Sequence, residues 1–282
     1  MSNLTDQQNR ILIVFKYLLS ILEVHNLKYI ACGGTVLGAV RHGGFIPWDD
    51  DIDIYMPRAD YEKFLLLKKD VQKDGYDIVS DADDGYYLPF AKIVDTNTTL
   101  WEVEKYPFLL GTFVDIFPLD EFDLPEKEIA EIQNRSVNFF RRYLNAIMVM
   151  SYKDILFSLL RLELGSFKMG VLSKVMNGKV CLKKFEDYKK SYVGHNGDKC
   201  VCVTQWVGKI FRTEWFKNLI DWNFEDVKIK IPADYDSYLR KLYGDYMKLP
   251  PEEQRVSQHF QYYVNMKKRL SIEEVKKIKN AK

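Results

Sequence analysis

The sequence is poor in several features, and each shortage closes a class of function. It carries no surplus of charge: 41 basic side chains stand against 40 acidic ones, a net charge of +1. Such a balance gives no strong overall field, so duplex nucleic acid is not an expected partner. Only four cysteines occur, at Cys32, Cys181, Cys200 and Cys202. The last two form C-x-C, and no second pair completes a four-ligand zinc site. Reduced thiols in a cytosolic protein are the expectation. No apolar run approaches the ~18 residues that a membrane span needs. The apolar "ILIVFKYLLSIL" is broken by Lys16 and precedes no small-residue cleavage site, so it does not read as a signal peptide. Internal repeats, low-complexity tracts and flexible linkers are also lacking.

What is present is ordinary in bulk: 47% hydrophobic and 29% charged residues over 282 positions, enough for a sizeable core. The chain reads as one domain, 1–282. A core covers roughly 20–124, a largely helical region 125–195, and a C-terminal region packing on the core 196–282. Thr5 to Gln8 forms a capping box, T-x-x-Q, and apolar residues recur behind it at helical spacing. "LKYIAC" reads as a short buried strand, "TVLGAVRH" as a two-turn helix, "DIDIYM" as an alternating strand stopped by Pro57, and "RADYEKFLLLKKD" as one helix. "YDIVS", "YYLPFAKIVD", "TTLWEVE" and "GTFVDIF" follow as strands. From Pro125 a long helical stretch begins, and after it "KCVCVTQW" and "KIKIPADYDSYLRKLYG" return to strand, loop and helix. The fold class is therefore α/β (α+β), a mixed sheet flanked by helices.

The unusual feature is acidic. Asp49, Asp50, Asp51 and Asp53 crowd into five positions. Alternation puts Asp51 and Asp53 on one strand face, ~7 Å apart along the strand. Asp115, in "FVDIF", is placed the same way on a second strand. If the two strands are neighbours, three carboxylates converge. Buried charge must be paired or metal-bound, and hard oxygen ligands suit Mg2+ or Mn2+. The alternative for "WDDD" by itself is a solvated acidic loop. Gly33-Gly34-Thr35 lies between a strand and a helix. It is either a plain turn or a place where backbone N–H groups meet a phosphate.

Gly33-Gly34-Thr35, Asp51-Ile52-Asp53 and the separated Asp115 together resemble the nucleotidyltransferase superfamily of the DNA polymerase beta type. "GGTVLGAVRHGGFIPWDDDIDIYMPRADYEKF" is similar, more narrowly, to the signature of the LicD family of phosphocholine transferases, whose core fukutin and fukutin-related protein share. "PFAKIVDTNTTL", "GTFVDIFPLD" and "YGDYMKLPPEEQRVSQH" resemble further LicD segments. The resemblance implies a nucleotidyltransferase-like sheet and transfer of an alcohol phosphate from a CDP-activated donor, CDP-choline first among them. The acceptor would be a sugar hydroxyl of a teichoic acid or lipopolysaccharide glycan, lipid-linked in this reading.

On that basis Asp51 and Asp53 are expected to hold a metal at the donor pyrophosphate. Asp115 would complete a second metal position and orient or deprotonate the acceptor hydroxyl. Asp49 is expected as an extra ligand and Asp50 as a solvated neighbour. Gly33, Gly34 and Thr35 would hold phosphates. Lys92 is either a phosphate counter-charge or a strand lysine snorkelling to water. Arg41 and His42 either steady the leaving CMP or simply complement a helix C-terminus. Arg255 or His259 would close over the donor, or lie in a surface turn. A choline cage would draw on aromatics such as Tyr86, Tyr87, Trp101 and Trp206, which serve equally as core residues. Residues 147–175 mix apolar stripes with Lys153, Arg161, Lys168 and Lys174, and suit either core or partner packing or an interfacial helix. The expected location is the cytoplasm, with peripheral contact at the inner membrane face. Two other functions stay open: a template-independent nucleotidyltransferase releasing pyrophosphate, and a non-catalytic nucleotide-binding protein of the same fold.

Overall fold

The structure, a computed structural model, describes residues 4–192, 196–204, 207–257 and 261–281. The capping box at Thr5 and Gln8 closes in both directions, and α1 (Asp6–Val24) follows. Then come β1 (Ile30–Ala31), α2 (Gly33–His42) and β2 (Asp53–Pro57). The helix expected after Pro57 is two helices, α3 (Arg58–Leu65) and α4 (Lys68–Lys73), separated at Leu66 and Leu67. The four expected strands are β3 (Tyr76–Val79), β4 (Ala91–Asp95), β5 (Thr99–Trp101) and β6 (Phe113–Phe122). Tyr86 and Tyr87 fall before β4 and not within it.

The helical stretch is α5 (Glu126–Ile147), α6 (Tyr152–Leu160), α7 (Leu164–Val175) and α8 (Gly178–Lys190). After it come β7 (Lys199–Val201), β8 (Phe211–Arg212), α9 (Glu214–Lys217), β9 (Leu219–Phe224), β10 (Val227–Pro232) and α10 (Tyr235–Tyr243). The chain closes with β11 (Tyr263–Asn265) and α11 (Ile272–Asn280). Three partnerships were not read from the sequence: the β9–β10 hairpin, the pairing of β5 with β11, and α11.

The main sheet has seven strands. Its order is β1-β2-β6-β4-β3, with β7 on β6 and β8 on β7. β2 and β6 run parallel, and the other neighbours run antiparallel. β6 is long enough to serve two partners: residues 113–119 pair with β2 and β4, and residues 120–122 with β7. Phe15 and Leu18 of α1, Val36 of α2 and Phe64 of α3 are fully buried in one core with Ile54, Met56 and Ile116. Each such side chain contributes about 1.5–3 kcal/mol of burial.

The helical region behaves in two ways. α5 and α8 bury Phe140, Tyr143 and Phe185 between them. α6 and α7 bury little, and most of their apolar side chains face outward. Core packing, one reading of 147–175, is thus overturned for α6 and α7. Among the described residues no single helix is long and apolar enough to cross a membrane.

One buried ion pair pins the sheet to its flanking helix. Arg58, the first residue of α3, donates from Nε and Nη2 to the two carboxylate oxygens of Asp120, each at 2.8 Å. Removing one partner strands the other charge in the interior. Arg58→Leu should therefore lower the unfolding free energy by about 3–5 kcal/mol. Arg58→Leu with Asp120→Leu should recover most of that loss in urea titrations. An unchanged urea midpoint for the single variant would refute this role.

Candidate active site

The site is built on a row across three strands. Asp53, first residue of β2, pairs in parallel register with Asp115 of β6, and Asp115 pairs with Lys92 of β4. Partners in register point to the same face. The row is held by backbone bonds: Asp115 N–H donates to the Ile52 carbonyl at 2.9 Å, and Cys32 N–H donates to the Asp53 carbonyl at 3.1 Å. Asp51 precedes the regular strand, yet its carboxylate joins the group. Carboxylate oxygens of Asp51, Asp53 and Asp115 all lie within 4.8 Å of one another. The expected convergence of three acids from two strands is present.

Asp49 stands outside that trio. Its Oδ2 is 2.8 Å from where a Cβ on Gly34 would sit, at the start of α2. There the helix's partial positive charge favours the carboxylate, and the Asp49 charge still acts on Asp53. Asp50 is not simply solvated. Its Oδ2 accepts from Gln261 Nε2 at 2.9 Å and from Gln7 Nε2 at 3.5 Å.

α2 begins against the acids. Gly33 has φ +53°, and a Cβ there would stand 3.4 Å from Asp53 Oδ2, so glycine lets the helix start beside the carboxylate. Gly33 N–H donates to the Tyr238 hydroxyl at 2.9 Å, and Thr35 N–H to the Cys32 carbonyl at 3.1 Å. The Thr35 hydroxyl accepts from Asp53 N–H at 2.8 Å. Two of the three N–H groups expected at a phosphate are therefore committed within the protein. Arg41 and His42 lie in the last turn of α2, about 12 Å along the helix from Gly33. Arg41 donates to the Tyr246 carbonyl at 2.7 Å and to His42 Nε2 at 2.9 Å.

Lys92 does not snorkel. Its side chain is 2% exposed, with Nζ 2.7 Å from Asp115 Oδ1 and 3.4 Å from Glu102 Oε1. The ammonium also lies 3.2 Å from the Phe113 ring centroid. Burial works to lower its pKa, but Asp115 and then Glu102 outweigh burial and hold it above the ordinary value. Glu102 was missed by the sequence reading. It accepts a short hydrogen bond from the Tyr87 hydroxyl, which completes a chain Tyr87–Glu102–Lys92–Asp115. The signal that could have found it is the demand of a buried lysine for more than one carboxylate. Tyr86, Tyr87 and Trp101 are all buried. Trp101 packs with Leu270 and Val275, which fits the core alternative. Trp206 and His259 lie outside the described residues.

The far C-terminal segment returns to the acids. The Tyr243 hydroxyl is 3.7 Å from the position of a Gly33 Cβ, and burial followed by the Asp53 charge pushes its pKa up. Arg255 lies over the Trp48 ring, 5.9 Å from its centroid. Gln261 holds Asp50. Tyr243, Arg255 and Gln261 together form one wall of the acidic loop.

Among the described residues, the surroundings of Asp53 are short of positive charge. Burial first, then Asp51, Asp115 and Asp49, push the Asp53 carboxyl well above its usual range, and Lys92 offsets only part of this. Three hard oxygen donors in such a deficit fit a magnesium or manganese ion, with Asp51, Asp53 and Asp115 as the residues that would hold it.

The family description "LicD/FKTN/FKRP, nucleotidyltransferase domain" matches residues 26–159, which include every acid of the trio. The lipopolysaccharide cholinephosphotransferase LicD of Haemophilus influenzae is 30% identical over 278 residues, covering 92% of this chain and 96% of that protein. The chain belongs to the LicD family. Its similarity extends to ribitol 5-phosphate transferase FKRP of Mus musculus and Homo sapiens, each 46% identical over 39 residues, 14% of this chain and 8% of theirs. The resemblance read from the residues is thus borne out, and this LicD-family chain is a transferase of substituted phosphate groups.

The raised Asp53 carboxyl has a thermodynamic consequence. Between about pH 4 and its raised folded value, the folded chain binds more protons at Asp53 than the unfolded chain. The contribution of Asp53 to stability without metal must then fall as pH rises through that window. Asp53→Asn, which mimics the protonated group, should raise the metal-free melting temperature at pH 7.5 and flatten its pH dependence. The same variant should lose most of the upward shift that magnesium or manganese gives the wild type. A lower metal-free melting temperature for Asp53→Asn than for wild type would contradict this electrostatic account.

Proposed function

We propose that the protein catalyses metal-dependent transfer of phosphocholine, or a related alcohol phosphate, from a CDP-activated donor to a sugar hydroxyl of a cell-surface glycan such as teichoic acid or lipopolysaccharide. The acceptor oxygen forms a bond to the phosphorus that carries the alcohol. The bond from that phosphorus to the bridging oxygen breaks, and CMP leaves. The likeness to a named cholinephosphotransferase along nearly its whole length carries this reading. The converging carboxylates of Asp51, Asp53 and Asp115 support it.

In this reading Asp51 and Asp53 sit at the donor pyrophosphate, and Asp115 orients the acceptor hydroxyl and takes its proton. Lys92, bonded to Asp115 Oδ1, fixes the direction of that carboxylate. A bound magnesium or manganese ion would neutralise charge on the phosphate oxygens and lower the pKa of the attacking hydroxyl. The wall made by Tyr243, Arg255 and Gln261 is the side from which a nucleotide would be enclosed. The acceptor is lipid-linked, and the reaction takes place in the cytoplasm at the inner membrane face.

The released product tests the proposal. The protein is incubated with magnesium, cell-envelope glycan and each of CDP-choline, CDP-ribitol, CDP-glycerol and CTP, and CMP and pyrophosphate are measured. CMP from one of the CDP-alcohols is the expected outcome. Pyrophosphate from CTP would favour template-independent nucleotidyl transfer, and no release from any donor would favour a non-catalytic nucleotide-binding role. Asp53→Asn and Asp115→Asn should each reduce CMP release by about a thousandfold, roughly 4 kcal/mol of transition-state stabilisation.

A further inference from the structure

We infer that the hairpin of α6 and α7 is a docking surface for an anionic lipid bilayer. The two helices touch each other through a thin interface: Ile155 is buried against Gly170, where a Cβ would lie only 2.6 Å from Ile155 Cγ1. Their outer surface is apolar and open. Tyr152 is 77% exposed, Leu156 56%, Leu160 68%, Leu162 81% and Leu164 64%. Scattered exposed leucines are normal on a soluble protein, but a contiguous group on one hairpin marks an interaction site.

Charge selects the occupant. Residues 152–175 carry four basic side chains, Lys153, Arg161, Lys168 and Lys174, against two acidic ones, Asp154 and Glu163. All four basic residues are exposed. Lys153 and Arg161 flank the Phe157 ring at 5.7 and 5.9 Å from its centroid, and Lys174 lies 5.0 Å from that of Tyr152. Cations set around outward-facing aromatic and leucine side chains match a leaflet, whose headgroups are anionic and whose interior is apolar. A second copy of the chain would instead bring the same cations face to face.

The apex gives a second, independent sign. Leu162, in the turn between the helices, has φ +59°, a conformation that glycine or asparagine adopts at less cost. A leucine held there, with its side chain the most exposed of the group, gains nothing from the fold of the monomer. It gains if the apex enters an apolar phase. This inference is independent of the proposed transfer chemistry, because it rests on exposure, charge and the backbone of the apex.

The experiment is sedimentation of the 282-residue chain with vesicles, without nucleotide or added metal. One set is phosphatidylcholine, and the other contains about one-third phosphatidylglycerol, which supplies the negative surface that basic side chains sense. Wild type should pellet with the anionic vesicles and be released by high salt. The triple variant L160S/L162G/L164S should bind about tenfold more weakly. Its melting temperature should stay at or above that of wild type, because none of the three side chains is buried and the glycine removes strain. Wild type remaining in the supernatant with both vesicle types would overturn the inference. So would a wild-type dimer in sedimentation velocity that the triple variant dissociates, since a second copy would then cover this face. Neither result bears on CMP release, so the two proposals fail separately.

Discussion

The parallel, in-register pairing of Asp53 with Asp115 constrains everything around it. A parallel neighbour cannot offset a carboxylate by shifting one residue, because a slip would turn every side chain of the strand to the other face. The two acids are thus fixed side by side by the same bonds that make the sheet. Asp51 adds a third charge from the segment just before β2. From β4, Lys92 reaches Asp115. The other side carries α2, whose N-terminal dipole faces Asp49 and Asp53 but supplies only a fraction of a charge. A deficit built into the sheet register is what a dication would fill.

The surroundings are shaped to keep that deficit open. Glycine at Gly33 and Gly34 leaves the space beside Asp53 and Asp49 that any side chain would narrow. Thr35 spends its hydroxyl on Asp53 N–H, which fixes where the strand begins. Lys92 would be the natural internal counter-ion for the whole cluster. Glu102, itself bonded to Tyr87, shares its ammonium with Asp115. The lysine thereby orients the Asp115 carboxylate and offsets only part of the shift at Asp53. Such arrangements lower stability and are kept where chemistry needs them.

Much of this geometry was legible because strand period 2 is a strong signal. "DIDIYM" and "FVDIF" each declare which face their acids take, and one neighbour relation between the strands brings the three together. The fold class followed from strand and helix order in the same way. What escaped depends on contacts far apart in sequence. Glu102 matters through Lys92 and Tyr87, and β5 itself is completed by β11, pairing Trp101 with Tyr263. Gln261 meets Asp50 across 211 positions. The break at Leu66 and Leu67 was invisible because the apolar pattern runs through it. The α6–α7 hairpin shows a different limit: helical period reveals an apolar stripe, but not whether protein or another phase covers it.

The hairpin is also tied mechanically to the acids. Its base is held by Val149 N–H donating to the Lys105 carbonyl at 2.8 Å, and Met148, Met150 and Ile155 pack with Tyr106. Tyr106 stacks on Tyr87 at 5.3 Å between ring centroids, with 13° between the ring planes. Tyr87 bonds Glu102, Glu102 meets Lys92, and Lys92 meets Asp115. Every link is a packed ring or a charged hydrogen bond, and Tyr87, Lys92 and Asp115 are buried. A hairpin seated on a bilayer would therefore set the height and tilt of the carboxylates above it. For a soluble acceptor such a linkage has no use. For an acceptor anchored in the same leaflet it removes part of the orientational search, because both reactants share a plane before they meet.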